Sequence, residues 1–359
     1  MSDAFWRGRR VFLTGHTGFK GSWLALWLHA MGAEVTGFAL RAEPVSLFNQ
    51  GRIGELITHI EGDIRDLAAV EAAMQAAQPT VVLHLAAQPL VRKSYVEPVE
   101  TYATNVQGTV HVLDACRRVP GLEAIVCVTS DKCYENREWV WPYREDDPMG
   151  GYDPYSSSKG AAELVAAAYR RSYFSTVPGP RLATVRAGNV IGGGDWAEDR
   201  LVPDIVRALL GSAAPLIRAP HSVRPWQHVL EALSGYLLVA QRLAGGQSGI
   251  DGGWNFGPAE NDARPVSWIA DQLMAAWSGA APGTGWVDAS SGEAVHEARL
   301  LRLDCAKARA DLGWRTALSL QDALDLIVDW HKAVSAGDDA RGVTQAQLRD
   351  YRGRCAALA

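Results

Sequence analysis

The chain has 359 residues, enough for two lobes or one large α/β unit, and its 48% hydrophobic and 21% charged residues are typical of globular proteins. Its net charge of −5 argues against a nucleic-acid-binding surface, and no apolar run approaches the roughly 20 residues of a membrane-spanning helix. The first residues contain no signal-peptide core, and five cysteines without metal-ligand spacing predict a cytoplasmic protein with no metal site.

A glycine-rich turn follows the first predicted strand, residues 11–14, and precedes a predicted helix at 22–31. Gly15, Gly18 and Gly21 give the spacing G-x-x-G-x-x-G. Glycines at this spacing permit a tight turn and let the backbone approach a pyrophosphate, which the helix N-terminus then attracts. Such a triplet also fits a purely structural turn, but its position at the first strand–helix junction favours dinucleotide binding.

The remaining predicted elements alternate between strand and helix, as in a parallel sheet. In chain order they are strands at 34–39 and 58–61, a helix at 67–77, a strand at 80–83, a helix at 99–118, a strand at 124–128, a helix at 155–172 and a strand at 182–187.

This order predicts an α/β fold with a Rossmann-type doubly wound parallel sheet. We expect a dinucleotide-binding domain over residues 1–187, with a returning segment near 225–250. After Gly188 the pattern loosens into turns and short segments, which predicts a smaller α/β C-terminal lobe, 188–359, built around a ligand. An amphipathic helix at about 318–333 is assigned to that lobe.

The end of the second strand departs from the simplest dinucleotide-binding pattern. An acid for the adenosine ribose is expected about 20 residues after the glycines, but no acid occurs there before Glu43. Arg41 is either a contact for a 2′-phosphate, which would favour NADP, or a surface residue. Asp63, at the end of the third strand, is placed to reach the adenine amino group or to cap the next helix.

Two motifs in the middle of the chain carry acid–base groups. TSDKCY places Ser130, Asp131 and Lys132 at the end of a buried strand, and YSSSK places Tyr155 and Lys159 one helical turn apart. Residues at this spacing share a helix face, so we expect Lys159 to lower the pKa of Tyr155 and make it a base near neutral pH. If both motifs line one cleft, the site contains more acid–base groups than the oxidation of a simple alcohol requires.

The combination of TGxxGxxG, HLAAQP, TSDKCY and YxxxK resembles the extended short-chain dehydrogenase/reductases that act on nucleotide sugars. Within them, TGHTGFKGSWL, TSDKCYENREWVW, GGYDPYSSSKG, RAGNVIGGGDWAEDR and RPWQHVLE are similar to the 4,6-dehydratases of CDP-glucose, over about residues 10–330. The glycine and Tyr–Lys motifs specify only the superfamily. The Asp131–Lys132 pair is more specific, because dehydratases of deoxythymidine- and GDP-sugars usually carry Asp-Glu there.

The resemblance implies NAD as the cofactor, CDP-glucose as the substrate and a homodimer formed through helices such as 99–118 and 155–172. It also implies an internal redox cycle, in which C4 of glucose is oxidised, water leaves across C5 and C6, and the same hydride returns to C6. Tyr155 would take the proton of the 4-hydroxyl, Ser130 would hydrogen-bond the C4 oxygen and Lys159 would bind the nicotinamide ribose.

For the elimination, the resemblance makes Asp131 and Lys132 the candidate acid and base. Asp131 would stay protonated and donate to the departing 6-hydroxyl, while Lys132 would remove the C5 proton in its neutral form. Burial and the Lys159 cation favour neutral Lys132, and an Asp131 anion opposes it, so an exchange of the two roles, or sharing through water, stays open.

Further site residues are assigned by the same resemblance. Those expected at the cofactor are Gly15, Thr17, Gly18, Phe19, Lys20, Gly21, Arg41, Asp63, Ile64, Leu85, Ala86, Ala87, Tyr155 and Lys159. Those expected at the substrate are Gln88, Ser130, Asn189, Arg200, Leu201, Arg224 and His228. Arg200 and Arg224 are placed at the diphosphate because a planar guanidinium suits phosphate oxygens, and His228 is either a ligand contact or a core histidine. Asn105 is expected to shape its helix and support the site.

Three other interpretations remain open. A 4,6-dehydratase of another nucleotide sugar is possible because base recognition lies in the loosely patterned lobe. A nucleotide-sugar 4-epimerase shares the glycine turn and the Tyr–Lys pair but has no need of Asp131 and Lys132. A non-catalytic NAD-binding regulatory protein would keep the glycines and lose the active-site set, which this chain has in full.

Overall fold

The structure is a computed structural model that describes residues 2–174, 179–259, 262–279, 281, 283, 285–290 and 300–358. Its first half alternates strands and helices. These elements are α1 (Asp3–Trp6), β1 (Arg10–Thr14), α2 (Phe19–Ala30), β2 (Glu34–Ala39), α3 (Leu47–Gln50), β3 (Thr58–Glu61), α4 (Leu67–Ala77), β4 (Val81–His84), α5 (Val91–Val96), α6 (Pro98–Tyr102), α7 (Gly108–Cys116), β5 (Ala124–Val128), α8 (Pro154–Tyr173) and β6 (Arg181–Ala187).

The second half has shorter strands. Its elements are β7 (Val190–Ile191), α9 (Leu201–Leu210), β8 (Leu216–Ile217), β9 (Val223–Pro225), β10 (Gln227–His228), α10 (Val229–Ala244), β11 (Gly253–Phe256), β12 (Ala263–Pro265), α11 (Val266–Ser278), β13 (Val287–Asp288), α12 (Leu320–Ser335) and α13 (Ala340–Ala357). None of the helices within the described ranges is both long and apolar enough to cross a membrane.

One seven-stranded sheet organises the molecule, with the strand order β11-β6-β5-β4-β1-β2-β3. Every neighbouring pair in it is parallel. The order reverses between β1 and β4, and a ligand-binding crevice forms beyond the carboxyl ends of the strands at such a switch point. The predicted doubly wound parallel sheet is therefore confirmed.

The sheet is buried on both faces, which explains why its strands are nearly continuous apolar runs. In β1, Val11 and Leu13 belong to a core layer that includes residues of α2 and α10. Phe12, between them, points to the opposite layer, which includes residues of α4 and α7. Successive side chains of a strand alternate between its faces, so a single strand supplies both cores.

Most predicted boundaries agree with the structure, and β2, β3, β5 and α4 have the predicted bounds. The largest difference is the predicted helix at 99–118. It is divided into α6, a π-helical turn at Ala103–Gln107, and α7. The widened turn holds Asn105, which is buried and whose amide donates to the backbone oxygen of Gln88 and to Ser158 Oγ.

Parts of the second half pack against the sheet. β11 extends it beside β6, and α10 contacts β5 and β6. α13, which was not predicted, packs on α2 and α3, with the rings of Tyr351 and Trp27 5.7 Å apart. The predicted helix at 318–333 corresponds to α12, which begins with a capping box at Ser319 and packs on α11.

A pair of glycine substitutions tests this packing. Gly235→Ala should lower the free energy of unfolding by about 1–3 kcal/mol, because the new methyl group would overlap the buried ring of Phe256. Gly353→Ala is the matched control on the exposed face of α13. Nothing lies within 4 Å of its added Cβ, so it should raise stability by up to about 1 kcal/mol. Urea unfolding followed by circular dichroism measures both, and equal effects would contradict the packing described.

Candidate active site

A cleft of about 760 Å³ lies at the carboxyl ends of the sheet strands. Segments that directly follow β1 to β6 line it, together with parts of the second half of the chain. The predicted site residues in its lining are Gly15, Thr17, Gly18, Phe19, Lys20, Gly21, Asp63, Ile64, Leu85, Ala86, Ala87, Ser130, Asp131, Lys132, Tyr155, Lys159, Asn189, Arg200, Leu201 and Arg224. The structure thus brings the glycine turn and both acid–base motifs to one cleft.

The glycine turn is shaped to hold an extended anion. Gly15 has a φ of +76°, and a Cβ there would lie 2.7 Å from the backbone nitrogen of Ala86. A Cβ at Gly21 would collide with the carbonyl oxygen of Gly15. Gly18 is different, because its Cβ would meet only one atom, at 3.5 Å, and the residue is exposed. Gly15 and Gly21 therefore close the turn, while Gly18 leaves room for a pyrophosphate at the start of α2.

Asp63 and Ile64 line the cleft beyond β3. Both oxygens of Asp63 accept hydrogen bonds from Arg65, from its backbone nitrogen at 2.9 Å and from Nε at 2.8 Å. The Arg65 guanidinium lowers the pKa of Asp63. Asp66, not Asp63, caps α4, since its carboxylate accepts from the backbone nitrogen of Ala69. The capping role considered for Asp63 is thus wrong.

Three predicted site residues, Arg41, Gln88 and His228, are not among the residues that line the cleft. Arg41 is exposed, which agrees with either interpretation of this residue. Gln88 is buried, and its amide donates to Thr101 Oγ1 at 2.9 Å. These contacts brace the loop after β4. His228 is 1% exposed, and its Nδ1 accepts from the backbone nitrogen of Leu230 at the start of α10. Burial lowers the pKa of His228 to about 3, which makes it a neutral core histidine.

Ser130, Asp131 and Lys132 occupy a tight turn directly after β5. Ser130 Oγ donates to Asp131 Oδ1 at 3.0 Å and accepts from the backbone nitrogen of Lys132 at 3.2 Å. These bonds fix the direction of the serine and aspartate side chains where the strand ends. A hydrogen bond between Ser130 and Tyr155 joins this turn to α8.

Asp131 is a buried carboxyl with one oxygen unused. Burial raises the pKa of Asp131, and the nearby Lys132, Ser130, Arg224 and Lys20 act in the opposite direction. Its Oδ2 has no hydrogen-bond partner among the described residues. This oxygen lies beside Gly188, where an added Cβ would come within 3.0 Å of it. A carboxyl in this environment favours the protonated form, which can donate a proton.

Tyr155 and Lys159 behave differently from the prediction. Burial raises the pKa of Tyr155 to about 12, while the hydrogen bond with Ser130 and the positive charge of Arg200 oppose the rise. Lys159 Nζ donates to the backbone oxygen of Val128 at 3.4 Å, and burial lowers the pKa of Lys159 to about 8. The expected lowering of the pKa of Tyr155 by Lys159 is wrong for the protein alone, because burial penalises both charged forms.

Positive side chains from three segments face the same part of the cleft. Lys20 lies in the first turn of α2. Burial, and then the charges of Arg200 and Lys159, lower the pKa of Lys20 to about 8. Arg200 pairs with Asp195 at 3.0 Å, and Arg224 is buried. This excess of positive charge over the carboxylates suits the binding of an anion such as a diphosphate.

A buried ion pair behind the cleft was not predicted from the sequence. Arg186 donates from Nε and Nη2 to the two oxygens of Glu163, both at 2.8 Å, and each side chain is 5% exposed. Thr129 and Thr184 also donate to Glu163. Two signals were present in the sequence: an arginine inside the apolar strand β6, and a glutamate four residues after Lys159 on the same helix face.

A model of the NAD dependent epimerase/dehydratase family matches residues 11–253. The chain is similar to CDP-glucose 4,6-dehydratase of Salmonella typhimurium, with 52% identity over 352 residues that make up 97% of each chain. It is 31% identical to dTDP-glucose 4,6-dehydratase of Streptomyces antibioticus over 337 residues, 90% of this chain and 92% of that one.

Solved structures show the same fold. That of dTDP-glucose 4,6-dehydratase from Bacillus anthracis in complex with NAD has a TM-score of 0.77 at 20% identity, covering 93% of this chain and 100% of that one. UDP-glucose 4-epimerase from Thermotoga maritima has a TM-score of 0.76 at 22% identity, covering 90% and 99%. Since dehydratase and epimerase match equally well, the fold does not distinguish these two reactions.

The buried ion pair yields a stability prediction. Glu163→Gln keeps the size of the side chain but leaves the buried Arg186 charge uncompensated, so it should cost about 3–5 kcal/mol of unfolding free energy. The matched control is Asp350→Asn, which breaks a half-exposed pair with Arg354 and should cost about 0–1 kcal/mol. Chemical denaturation measures both variants. A cost for Glu163→Gln no larger than that of the control would contradict the importance of the buried pair.

Proposed function

Because the chain belongs to the NAD dependent epimerase/dehydratase family, we propose that it dehydrates CDP-glucose to CDP-4-keto-6-deoxyglucose, an early type of step in deoxysugar synthesis. One observation carries the reaction type: a buried Asp131, with a raised pKa and a free oxygen, lies beside Ser130 and Tyr155. A 4-epimerase needs groups for oxidation at C4 alone. The 52% identical relative named for CDP-glucose supports the choice of nucleotide.

The cleft lining fits NAD along its length. The glycine turn would hold the pyrophosphate, Asp63 and Ile64 the adenosine, and Leu85, Ala86 and Ala87 the stretch between adenosine and nicotinamide. Lys159 would bind the nicotinamide ribose. When bound, NAD+ accepts a hydride from C4 of the sugar and returns it to C6, and its positive ring offsets the burial that raises the pKa of Tyr155.

Tyr155 removes the proton of the sugar 4-hydroxyl. Its phenolate is opposed by burial, so the hydrogen bond with Ser130 and the charge of Arg200 are needed to favour it. Ser130 also bonds the C4 oxygen as it becomes a carbonyl. The 4-ketone then makes the proton on C5 acidic, because the electron pair left at C5 is delocalised onto the C4 oxygen.

Asp131 and Lys132 complete the elimination. Lys132 takes the C5 proton, the C6–oxygen bond breaks, and protonated Asp131 gives its proton to the departing hydroxyl, which leaves as water. Lys132 would give the proton back to C5 when the hydride returns to C6. The raised pKa of Asp131 supports its role as the acid. The Lys132 side chain lines the same cleft and is half-buried, as a base that contacts C5 must be.

The substrate diphosphate is assigned to Arg200 and Arg224, with Asn189 and Leu201 beside it. All four residues line the cleft, and the two arginines act on Tyr155 and Asp131 respectively. The anionic diphosphate would therefore lie next to the reacting sugar. A planar guanidinium donates two parallel hydrogen bonds to phosphate oxygens, which also fixes the orientation of the sugar.

A homodimer in the cytoplasm is the assembly and location we propose. Apolar side chains on α6 and α8 support it, since Val99 is 82% exposed and Leu164 is 64% exposed. Exposed apolar positions on neighbouring helices mark interaction surfaces. α6 and α8 contact one another, which supports their joint use as the surface for a second copy of the chain.

A labelled-substrate assay tests the function. The protein and NAD+ are incubated in parallel with CDP-, dTDP-, GDP- and UDP-hexoses that carry deuterium at C4. The masses of the products are measured by mass spectrometry. We expect loss of one water from CDP-glucose alone, with deuterium at C6. Dehydration of another nucleotide sugar would keep the mechanism and change the substrate. An isomer of unchanged mass would indicate an epimerase, and no turnover would favour a binding protein.

Two substitutions should separate the half-reactions. Tyr155→Phe removes the base and should abolish oxidation at C4, measured as the absence of reduced nicotinamide absorbance in a single turnover. Lys132→Ala should allow that absorbance to appear but block loss of water, because the C5 proton then has no acceptor. Retention of near wild-type dehydration by Lys132→Ala would assign the C5 base to another residue.

A further inference from the structure

A polar cluster lines the cleft at β8 and the residue that follows it. Ile217 in β8 is 1% exposed, whereas Leu216 before it is 65% exposed. Leu216 and Arg218, two residues apart, point to the side of the strand opposite to Ile217, and both line the cleft. The cleft wall therefore offers an exposed apolar side chain next to a guanidinium.

Two carboxylates flank this guanidinium. Arg218 Nη1 donates to Asp199 Oδ1 at 2.6 Å, and Nη2 lies 3.5 Å from Asp204 Oδ2. Asp204 is itself held by Arg207, which also donates to the backbone oxygen of Trp196 at 2.8 Å. Contacts within α9 and with the loop before it therefore hold Asp204 in place. The edge of the Arg218 guanidinium formed by Nε and Nη2 lies next to the Asp204 carboxylate.

The position of the cluster identifies which part of a nucleotide sugar it meets. Arg200 acts on Tyr155, so it lies beside the reacting sugar. Asp199, the preceding residue, is bonded to Arg218. Arg218 lines the same cleft but is not among the cations that act on Tyr155 or Asp131. We therefore assign it to the nucleoside of the substrate rather than to the reacting sugar.

We propose that Arg218 and Asp204 read the base of the nucleotide and select cytosine; this inference rests on the proposed function. The cytosine edge presents two adjacent acceptors, O2 and N3, followed by the N4 amino donor. Nε and Nη2 of Arg218 donate to O2 and N3, and the Asp204 carboxylate accepts from N4. Leu216 packs on the face of the ring, while Asp199 holds Arg218 through Nη1.

The same cluster rejects uracil and thymine. Their N3 carries a hydrogen, which would face the guanidinium donors, and their O4 is an acceptor, which would face the carboxylate. Selection thus rests on two repulsive contacts as well as on the favourable ones, and repulsion against the wrong partner is an effective source of specificity.

Calorimetric binding of CDP, UDP, dTDP and inorganic pyrophosphate to the NAD-saturated full-length protein tests the proposal. Arg218→Lys keeps the positive charge but loses the two parallel donors, so we expect it to weaken CDP binding about tenfold to a hundredfold and barely to change UDP or dTDP binding. Asp204→Asn offers an amide donor to O4 and should narrow the preference for CDP over UDP. Arg354→Lys is the control, because Arg354 also pairs with two carboxylates at similar exposure.

Three results would overturn the proposal. Equal losses for all four ligands in Arg218→Lys would make Arg218 a phosphate contact. Unchanged CDP binding in that variant, with a thermal melt like that of Arg354→Lys, would exclude any role in base recognition. Wild-type protein that binds UDP as tightly as CDP would also refute selection of cytosine. The labelled-substrate assay remains a separate test of the dehydration itself, so the two proposals can fail independently.

Discussion

The active site depends on one buried ion pair, Arg186–Glu163. Glu163 lies on the same helix as Tyr155 and Lys159, and it accepts from Thr129, the residue before Ser130. Arg186 also donates to Tyr134 Oη at 2.6 Å. A buried charge pair of this kind persists only when its remaining hydrogen-bonding groups are satisfied. These bonds fix α8 relative to the ends of β5 and β6, and hence the distance between the two acid–base motifs.

Charge balance in the cleft is the second constraint. Lys20, Lys159 and Arg200 converge on a space where Asp131 and Tyr155 are buried. Burial lowers the pKa of Lys20 and of Lys159 and raises the pKa of Asp131 and of Tyr155, so each shift favours the neutral form of its group. In the protein alone, burial therefore disfavours both the Asp131 carboxylate and the Tyr155 phenolate.

Dehydratase and epimerase share this scaffold, as the near-equal structural matches show. Under the proposed function, the difference between them is local: the turn of Ser130, Asp131 and Lys132 after β5 would add a proton donor and a proton acceptor next to the oxidation site. The residues that we propose for base recognition also lie outside the main sheet, with Asp204 on α9 and Arg218 directly after β8. A conserved framework of this type carries different reactions through changes at strand ends.

The sequence by itself determined the parallel sheet, the glycine turn and the two acid–base motifs, because each depends on local spacing: the period of buried strands, the room that glycine leaves, and one turn of a helix. Only the tertiary structure decided the rest. Gln88 and His228 sit in sequence next to site residues, yet packing turns them into the protein interior. The pKa of Tyr155 and the Arg186–Glu163 pair depend on burial and on partners far apart in the chain, which no local pattern encodes.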